Sequence, residues 1–376
     1  MKKSWIMALF VSLVLLPNLI HAKSQAKIIR SLDSDGMKVL VEQLADGLGI
    51  PWGFDFLTDN IMIITDRSGR IHLLNLENLR LVAVEGVPDV YQKSQGGLLD
   101  IHKHPDFAKN QVIYFTYSVA HGDGATTRLT QAKLVKNELK ELKVLFTAET
   151  PSTKNVHFGS RLAIDKNGFL YMSIGDRGER ERAQNLSEHA GKILRFHLDG
   201  SVPKDNPFVG KKNAKPEIWS YGHRNPQGLT LHPQTGALWS HEHGPRGGDE
   251  INVIQKGGNY GWPLVTFGRE YWGPKIGTTQ KKGMIDPLHQ WTPSIAPSGM
   301  SFYTGKAFPK WQGNLFSGSM VLTHVNRIVL QDHKFVKEER LLDDWGLRIR
   351  SIKTGPDGFI YFASDQGQLL RFRPAS

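Results

Sequence analysis

The stretch SIKTGPDGFIYFASDQGQLLRF, residues 351–372, contains the pattern that decides the fold. An alternating run leads into a turn with Gly and Asp, a second run rich in Ile, Tyr and Phe follows, and a Gly-containing turn precedes a third run. A period of two residues predicts β-strands, and turns of this kind predict that successive strands are antiparallel. The stretch therefore predicts three strands of one small sheet.

Six imperfect copies of this pattern run through the chain. They occupy residues 51–74, 97–135, 161–198, 227–254, 298–331 and 351–372. Consecutive copies begin roughly 45 to 70 residues apart, close to or above the blade lengths of β-propellers. One such sheet cannot bury both of its faces, whereas six sheets packed around an axis bury them and leave only short edges. The sequence predicts an all-β fold, a six-bladed β-propeller, and the even spread of the copies disfavours two stacked β-sandwiches.

The start of the chain adds two expectations. Residues 38–48 (KVLVEQLADGL) have the pattern of a strand, which we expect to join the blade of the last copy and close the ring. Lys2, Lys3, the mostly apolar run 5–19 and the small residue Ala22 predict a cleaved export signal over residues 1–22. Residues 23–376 would then form one catalytic domain in the periplasm. The apolar run is shorter than the roughly 20 residues of a membrane span, and an uncleaved anchor is the alternative.

Composition narrows the class of partner. The chain has 376 residues, no cysteine and a net charge of +11. The lack of cysteine excludes disulfides and thiolate metal sites. Basic residues occur as doublets such as Lys211-Lys212 and Lys281-Lys282 rather than as dense runs, so we expect no nucleic-acid partner. The positive charge suits electrostatic steering of acidic partners, and it selects no oligomeric state.

Residues 219–262 carry more polar side chains than one short strand explains. They include Arg224-Asn225, the run His241-Glu242-His243, and Gly244-Pro245 followed by Asp249-Glu250. Taken alone, a stretch this rich in Gly and Pro is also typical of an ordinary turn. The other copies favour a site, because they too place polar residues ahead of strands whose ends point to the propeller axis. These residues are Gln95, His157, Arg224, Asn225, Arg348 and Arg350.

His157 and Asp176 are the candidates for acid–base chemistry. A carboxylate can orient an imidazole and support its protonated form, although a lone histidine is more often structural. Arg348 and Arg350 would share one face of a strand, where two guanidiniums repel each other unless an anion or a carboxylate lies opposite. This pair therefore indicates either a solvated surface or an anion site.

A second group suggests a metal site. The carbonyls of Gly244 and Pro245, with the carboxylates of Asp249 and Glu250, are oxygen ligands of the kind that calcium prefers. The spacing is not that of an EF-hand loop. His241 and His243 alternate along a strand, but no third zinc ligand stands at a suitable spacing, so we assign both histidines to packing.

Several longer motifs resemble one family. They are GKILR (191–195), DGSVPKDNPF (199–208), GHRNPQGL (222–229), GPRGGDEIN (244–252) and KGGNYGWP (256–263). They look like the soluble PQQ-dependent sugar dehydrogenases, and the bacterial aldose sugar dehydrogenases in particular. The resemblance covers residues 43–372 with the motifs in the expected order, and the family fold is a six-bladed β-propeller.

The resemblance implies two cofactors, PQQ (a tricarboxylic ortho-quinone) and Ca²⁺, and an aldose substrate. The implied contacts to PQQ come from Arg224, Asn225, Arg348 and Arg350, with Gln95 near the sugar and the reacting carbonyl. One calcium ion would bind the carbonyls of Gly244 and Pro245, and a second would lie near Glu250 and Tyr260.

The resemblance also implies a mechanism. His157, oriented by Asp176, would remove the proton of the anomeric hydroxyl while hydride passes to PQQ, and Arg224 and calcium would stabilise the charge that grows on the quinone oxygen. The product would be a lactone, and the electrons would pass on to an acceptor such as a cytochrome or a quinone.

The chain departs from the family pattern at three positions. Val321 stands where a PQQ-binding lysine is usual, and Lys310 or His324 would have to substitute for it. Val156 stands where some members have a carboxylate directly before the catalytic histidine. Trp291 is shifted by one position and either covers the sugar or PQQ or belongs to the core.

Two other functions compete with the dehydrogenase. A lactonase-type propeller hydrolase would use a central metal and water, but it needs converging carboxylates, and the arginines instead favour an anion at the axis. A degenerate propeller that binds a ligand without catalysis is the other alternative, and Val321 is its best support.

Overall fold

The structure, a computed structural model, describes residues 26–375. The expected export signal lies outside these residues. Within them the chain forms six antiparallel sheets arranged as the blades of a propeller, and helix is almost absent. The predicted six-bladed β-propeller is confirmed.

Each blade is built from consecutive strands, and only the last also takes strands from the start of the chain. That start consists of β1 (Lys27–Ser34) and β2 (Met37–Ala45). Blade 1 contains β3 (Pro51–Phe56), β4 (Ile61–Asp66), β5 (Arg70–Asn75) and β6 (Leu81–Val84). Blade 2 contains β7 (Leu98–Lys103), β8 (Val112–His121), β9 (Gly124–Val135) and β10 (Glu138–Thr147). Blade 3 contains β11 (Leu162–Ile164), β12 (Phe169–Ile174), β13 (Lys192–His197) and β14 (Ile218–Tyr221).

The second half of the chain repeats the arrangement. Blade 4 contains β15 (Pro226–Leu231), β16 (Leu238–Glu242), β17 (Asp249–Ile254) and β18 (His289–Trp291). Blade 5 contains β19 (Pro297–Phe302), β20 (Leu315–Ser319), β21 (Val325–Gln331) and β22 (Lys334–Leu341). Blade 6 contains β23 (Ile349–Thr354), β24 (Ile360–Ser364) and β25 (Leu369–Pro374). Short helical turns occur at Phe107–Asn110, Arg180–Gln184 and Pro309–Trp311, and no helix of the described residues is long and apolar enough to cross a membrane.

The ring closes between the two ends of the chain. Strand β2 pairs antiparallel with β25, with Val41 opposite Phe372 and Val39 opposite Pro374, and β1 adds a fifth strand outside β2. The expectation that residues 38–48 complete the last blade is confirmed for β2. Because this pairing covers the outer edge of β25, it leaves no unpaired edge at the point where the ring would otherwise open.

Burial follows the position of a strand within its blade. Every residue of β3 is buried, whereas β10 on the outer edge of blade 2 is largely exposed. The core consists of apolar side chains between neighbouring sheets; one cluster includes Trp239 from blade 4 and Met300 and Leu315 from blade 5. Burial between adjacent faces supplies the main driving force for this arrangement.

One arginine joins the blades at the axis. Arg161 precedes β11 and is 4 % exposed. Its guanidinium nitrogens lie within hydrogen-bond distance of one residue in each of the other five blades: Trp52, Asp100, Gln227, Ser298 and Arg350. The side chain therefore fixes the starts of the inner strands relative to one another.

Candidate functional site

A cavity of about 310 Å³ lies where the starts of the inner strands converge. Of the predicted site residues, four line it: Gln95, Asn225, Arg348 and Arg350. A wider cleft of about 860 Å³ adjoins the cavity on the outside, and four other predicted residues line it: His157, Arg224, Gly244 and Pro245. Gln95 and His243 line both spaces, so the cavity and the cleft form one continuous site.

His157 and Asp176 are hydrogen-bonded, as the sequence predicted for a candidate base. The Nδ1 atom of His157 lies 2.6 Å from Oδ1 of Asp176. The histidine precedes blade 3 in a left-handed conformation (φ 54°), and the carboxylate follows β12 in the same blade. The main-chain N–H of His157 donates to Oε1 of Gln95 at 2.8 Å, which ties the base to the loop ahead of blade 2.

The electrostatics leave this histidine ready to accept a proton. Burial, reinforced by the positive charge of Arg224, lowers the pKa of His157 below its ordinary value. Burial alone would raise the pKa of Asp176, but the hydrogen bond and charge of His157, the charge of Arg224 and the N–H of Gly178 together outweigh it, and the pKa is lowered. The carboxylate is therefore ionised and can only accept, so Nδ1 of the neutral ring carries the hydrogen and Nε2 offers a free lone pair.

Asp176 is itself held by a second residue that sequence reasoning missed. The indole Nε1 of Trp262 donates to Oδ2 of Asp176 at 2.8 Å, and the main-chain N–H of Gly178 donates to Oδ1 at 2.7 Å. Trp262 belongs to the KGGNYGWP motif, 86 residues further along the chain. The feature that could have indicated this role is a tryptophan in a polar loop, but the sequence alone does not distinguish such a tryptophan from a core residue.

The arginine pair predicted at the start of the last blade has its opposing carboxylate. Asp365 accepts from Nε of Arg350 at 2.7 Å through Oδ1, and from Nη2 at 2.7 Å through Oδ2. Nε of Arg348 also donates to Oδ2, at 3.2 Å. Arg348 precedes β23 rather than lying within it, and a bulge separates Ile349 from Ser351. The two guanidiniums thus converge through Asp365 and not through simple strand alternation.

Arg67 is the other charged side chain of the cavity that the sequence did not reveal. It follows β4 in the turn Asp66-Arg67-Ser68-Gly69, where a polar residue usually faces solvent. Here the turn faces the axis instead.

Arg224 and Gly244 are in direct contact. Nη1 of Arg224 donates to the carbonyl of Gly244 at 2.8 Å and to that of His243 at 3.2 Å. Gly244 is required in this turn, since a Cβ atom there would lie 2.3 Å from the carbonyl oxygen of Gly247. Asn225 lies next to Arg224, and its Oδ1 accepts from Nε2 of Gln227 at 3.2 Å. The geometry thus brings the Arg-Asn and Gly-Pro motifs to one side of the site.

Two buried carboxylates lie behind the Gly-Pro turn. Glu242 and Glu250 line a small space together with Gly244 and Tyr260. Burial and the negative charge of Glu242 raise the pKa of Glu250 well above its ordinary value. Asp249 has another role, because its oxygens accept from the main-chain N–H groups of Gly244, Ile295 and Ala296.

Within residues 26–375, no group of three or more His, Cys, Asp or Glu side chains is arranged to hold a metal. A metal in the small space would therefore need main-chain oxygens as well. The hydroxyl of Tyr260 donates to the carbonyl of Val253 and accepts from the N–H of Gln255, both at 2.7 Å, so Tyr260 would contribute through its main chain.

The two histidines of the fourth blade differ. His241 is fully buried, its Nε2 lies 3.1 Å from the carbonyl of Gly299, and burial lowers its pKa to about 4, so its assignment to packing is confirmed. His243 also contacts its own fold, with Nε2 at 2.8 Å from the carbonyl of Pro297, but unlike His241 it lines both the cavity and the cleft. Strand alternation predicted one face for both residues, but β16 ends at Glu242, so His243 lies beyond the strand.

The departures from the family pattern have clear positions. Val321 is 57 % exposed and lines the cleft. Neither proposed substitute for the missing lysine lies at the site: Lys310 donates to the carbonyl of Asp35, and the ring nitrogens of His324 contact Leu322 and Asn326. Trp291 is 3 % exposed, packs in the core cluster with Trp239, and donates to Glu338 at 2.7 Å, so it is a core residue.

Known structures and sequences define the class of this protein. The soluble aldose sugar dehydrogenase of Escherichia coli, solved in the apo-form, superposes with a TM-score of 0.87 at 40 % identity over 89 % of this chain and 99 % of that chain. The chain thus shares its propeller fold with a soluble sugar dehydrogenase. The chain belongs to the glucose/sorbosone dehydrogenase family, whose sequence profile matches residues 48–371.

Two curated relatives agree. The aldose sugar dehydrogenase YliI of Escherichia coli (strain K12) is 42 % identical over 347 residues, which cover 89 % of this chain and 93 % of the relative. The quinoprotein glucose dehydrogenase B of Acinetobacter calcoaceticus is 34 % identical over 257 residues, or 61 % of this chain and 52 % of the relative. These names support an oxidoreductase.

Proposed function

We propose that this protein oxidises aldose sugars at the anomeric carbon to the lactone, with PQQ as the hydride acceptor and His157 as the general base. The observation that carries the proposal is the hydrogen bond between His157 and Asp176, 2.6 Å long, at the junction of the arginine-lined cavity and the cleft. This arrangement places a neutral base next to a space suited to an anionic cofactor.

The cavity suits PQQ on chemical grounds. The guanidiniums of Arg67, Arg348 and Arg350 line it, and Asp365 is the only carboxylate among its lining residues. A ligand with three carboxylates would offset this excess of positive charge. Trp52 and Phe158 add aromatic surface against which a planar ring can lie. The name quinoprotein, carried by one relative, agrees with a quinone cofactor.

The residues of this chain would then divide the chemistry. PQQ, when bound, would supply a quinone that serves as the hydride acceptor. Nε2 of His157 would take the proton of the anomeric hydroxyl. At the same time the anomeric carbon would give up its hydride, and the C=O bond of the lactone would form. Asp176 stabilises the imidazolium that results. Arg224, held on the carbonyls of His243 and Gly244, donates towards the developing negative charge.

Calcium fits the chain at two places to different degrees. The buried pair Glu242 and Glu250 suits a divalent cation, since the cation would remove the repulsion that raises the pKa of Glu250. The Gly244 carbonyl already faces Arg224, so a cation on Gly244 and Pro245 would stand close to a guanidinium. An anionic ligand bound nearby would offset that repulsion.

The sugar would occupy the cleft outside the cavity. Among the lining residues, Gln95 and Thr292 offer polar contacts and Tyr271 offers an aromatic ring. Val156 gives no carboxylate beside the base, so the hydrogen bonds to the sugar must come from other loops. The aldose that is preferred would be decided by these loops.

The proposed electron acceptor is a cytochrome or a quinone in the periplasm. Tyr271 and Trp272 are 69 % and 79 % exposed at the rim of the cleft, close to the exposed Arg246 and Arg269. An aromatic and basic rim suits an acidic redox protein, which would approach under electrostatic steering.

Reconstitution tests the proposed function. The purified protein is loaded with PQQ and calcium and assayed with a panel of aldoses for reduction of an electron-accepting dye. We expect turnover that is lost with EDTA, and we expect His157→Ala to bind PQQ but to turn over at least about 100-fold more slowly, since general bases contribute roughly 10²–10⁴-fold. Hydrolysis of a lactone without PQQ would instead favour the hydrolase, and PQQ binding without turnover would favour a non-catalytic propeller.

A further inference from the structure

The central cavity contains more positive charge than its own carboxylate can balance. Asp365 engages Arg350 with both oxygens, at 2.7 Å each, and also accepts from Arg348 at 3.2 Å. Arg348 has a further partner in the carbonyl of Met320, at 2.7 Å. These two guanidiniums therefore share the one carboxylate, and a third residue adds further positive charge.

That residue is Arg67, whose side chain lines the same cavity. Its Nε atom is buried and has no hydrogen-bond partner among residues 26–375, and no salt bridge to it occurs among those residues. Burial and the positive charge of Arg350 lower the pKa of Arg67, although the carboxylates of Asp365 and Asp66 act in the opposite direction. A buried donor that lacks a partner is costly, so its retention at a cavity wall indicates an external acceptor.

The main chain holds Arg67 firmly in this orientation. Its N–H donates to the carbonyl of Ile50 at 3.0 Å, and its own carbonyl accepts from the N–H of Leu98 at 3.1 Å. Gly97 packs against it so closely that a Cβ atom at residue 97 would lie 2.0 Å from that carbonyl oxygen and 2.7 Å from Cγ of Arg67. The side chain is thus placed by contacts of blades 1 and 2 and not by a surface turn.

We infer that Arg67 binds a carboxylate of PQQ and supplies the cationic contact that Val321 cannot provide. The inference rests on the proposed function. The cationic contact from Arg67 would come from the cavity wall next to blades 1 and 2. Val321, in contrast, lines the outer cleft, so the contact would reach PQQ from a different side. Lys310 and His324 are engaged elsewhere and leave this role open.

The test compares PQQ with its trimethyl ester, which keeps the quinone but loses the three negative charges. Binding is measured by quenching of tryptophan fluorescence, because Trp52 lines the cavity, and it requires no turnover. We expect Arg67→Gln to weaken PQQ binding about 10- to 100-fold, as for a lost hydrogen bond to a charged group. Wild type and Arg67→Gln should bind the trimethyl ester equally.

Matched variants separate the contact from general effects. Arg80→Gln removes the same charge from an exposed position and should bind PQQ like wild type. Arg67→Lys keeps the charge without the forked donor and should lose less affinity than Arg67→Gln. It also carries the comparison if Arg67→Gln does not fold, as judged by circular dichroism and thermal melting.

The outcomes distinguish this inference from the proposed function. If folded Arg67→Gln binds PQQ as tightly as wild type, or loses affinity equally for PQQ and the ester, Arg67 does not bind a carboxylate. If wild type binds neither compound, the proposed function fails as well, and with it the assignment of Arg67.

Discussion

The indole of Trp262 and the carboxylate of Asp176 are joined by a hydrogen bond of 2.8 Å. This bond links the loop that follows β17 of blade 4 to the residue that orients the general base, in blade 3. Asp176 uses its other oxygen for His157, so the orientation of the base depends on a residue that lines neither the cavity nor the cleft. Trp262 also lies against Arg224, with 5.4 Å between the guanidinium carbon and the ring centre. The base and the arginine of the site thus share one positioning residue.

Trp262→Phe should impair catalysis more than cofactor binding. Loss of the indole N–H leaves a buried carboxylate oxygen without its donor, at a cost of about 1–3 kcal/mol. If this cost disturbs the orientation of His157 in the transition state, kcat should fall roughly tenfold or more. Steady-state kinetics of the reconstituted protein check this. Trp272→Phe, at the exposed rim, is the matched control, and a kcat of Trp262→Phe equal to that of wild type would show that the hydrogen bond is dispensable.

The pH profile should report His157. The base acts in its neutral form and its pKa lies below the ordinary value, so kcat/KM should rise with pH along an acid limb whose midpoint lies below pH 6.5. Because Asp176 raises the pKa of the ring, Asp176→Asn should shift this acid limb to still lower pH while it reduces the plateau. An acid limb that stays in place in Asp176→Asn would contradict the coupling of the two side chains.

Calcium should stabilise the protein through Glu250. The folded-state pKa of this carboxyl is raised above its ordinary value of 4.5, so without metal the protein should lose stability as pH rises from about 4.5 through the raised pKa. Thermal melts with EDTA and with calcium at neutral pH measure this. We expect calcium to raise the Tm of wild type, and Glu250→Gln to melt higher than wild type in EDTA but to respond less to calcium.

The control for that experiment is Glu181→Gln, which removes an exposed carboxylate. It should leave both the melting temperature in EDTA and the calcium response unchanged. An unaltered calcium response of Glu250→Gln would place the metal elsewhere.

Arg161→Met should destabilise the whole ring. The guanidinium is 4 % exposed and donates at 2.8 Å to the carbonyls of Gln227 and Arg350. Its loss leaves several buried acceptors and Asp100 without their partner, which we expect to cost about 3–5 kcal/mol. Urea unfolding compared with Arg80→Met checks the magnitude, and a loss below about 1 kcal/mol would show that the blades close without this contact.

The fold was readable from the sequence because strands and turns are local. Copies such as residues 351–372 carry the two-residue period and the turn residues of a blade, and repetition of the unit implies the ring. Closure by β2 could also be expected, since residues 38–48 had a strand pattern and no other partner. The pair of His157 and Asp176 could be proposed because both residues flank strands of one copy.

The rest of the site depends on which loops meet. Arg67, Trp262 and Asp365 stand in ordinary polar turns, and nothing local separates them from solvated residues. Strand alternation predicts the same face for His243 and His241, but β16 ends before His243, and only His243 lines the cavity.

The sequence by itself determined the propeller, its six blades and the residues that carry the main motifs, because period and turn chemistry are properties of neighbouring residues. Only the tertiary structure decided that Asp365 pairs both arginines, that Trp262 holds Asp176, and that Arg67 faces the cavity with an unpartnered Nε. Each of these contacts joins residues from separate loops. Their distances, and therefore their charges and hydrogen bonds, are set only when the six sheets close around one axis.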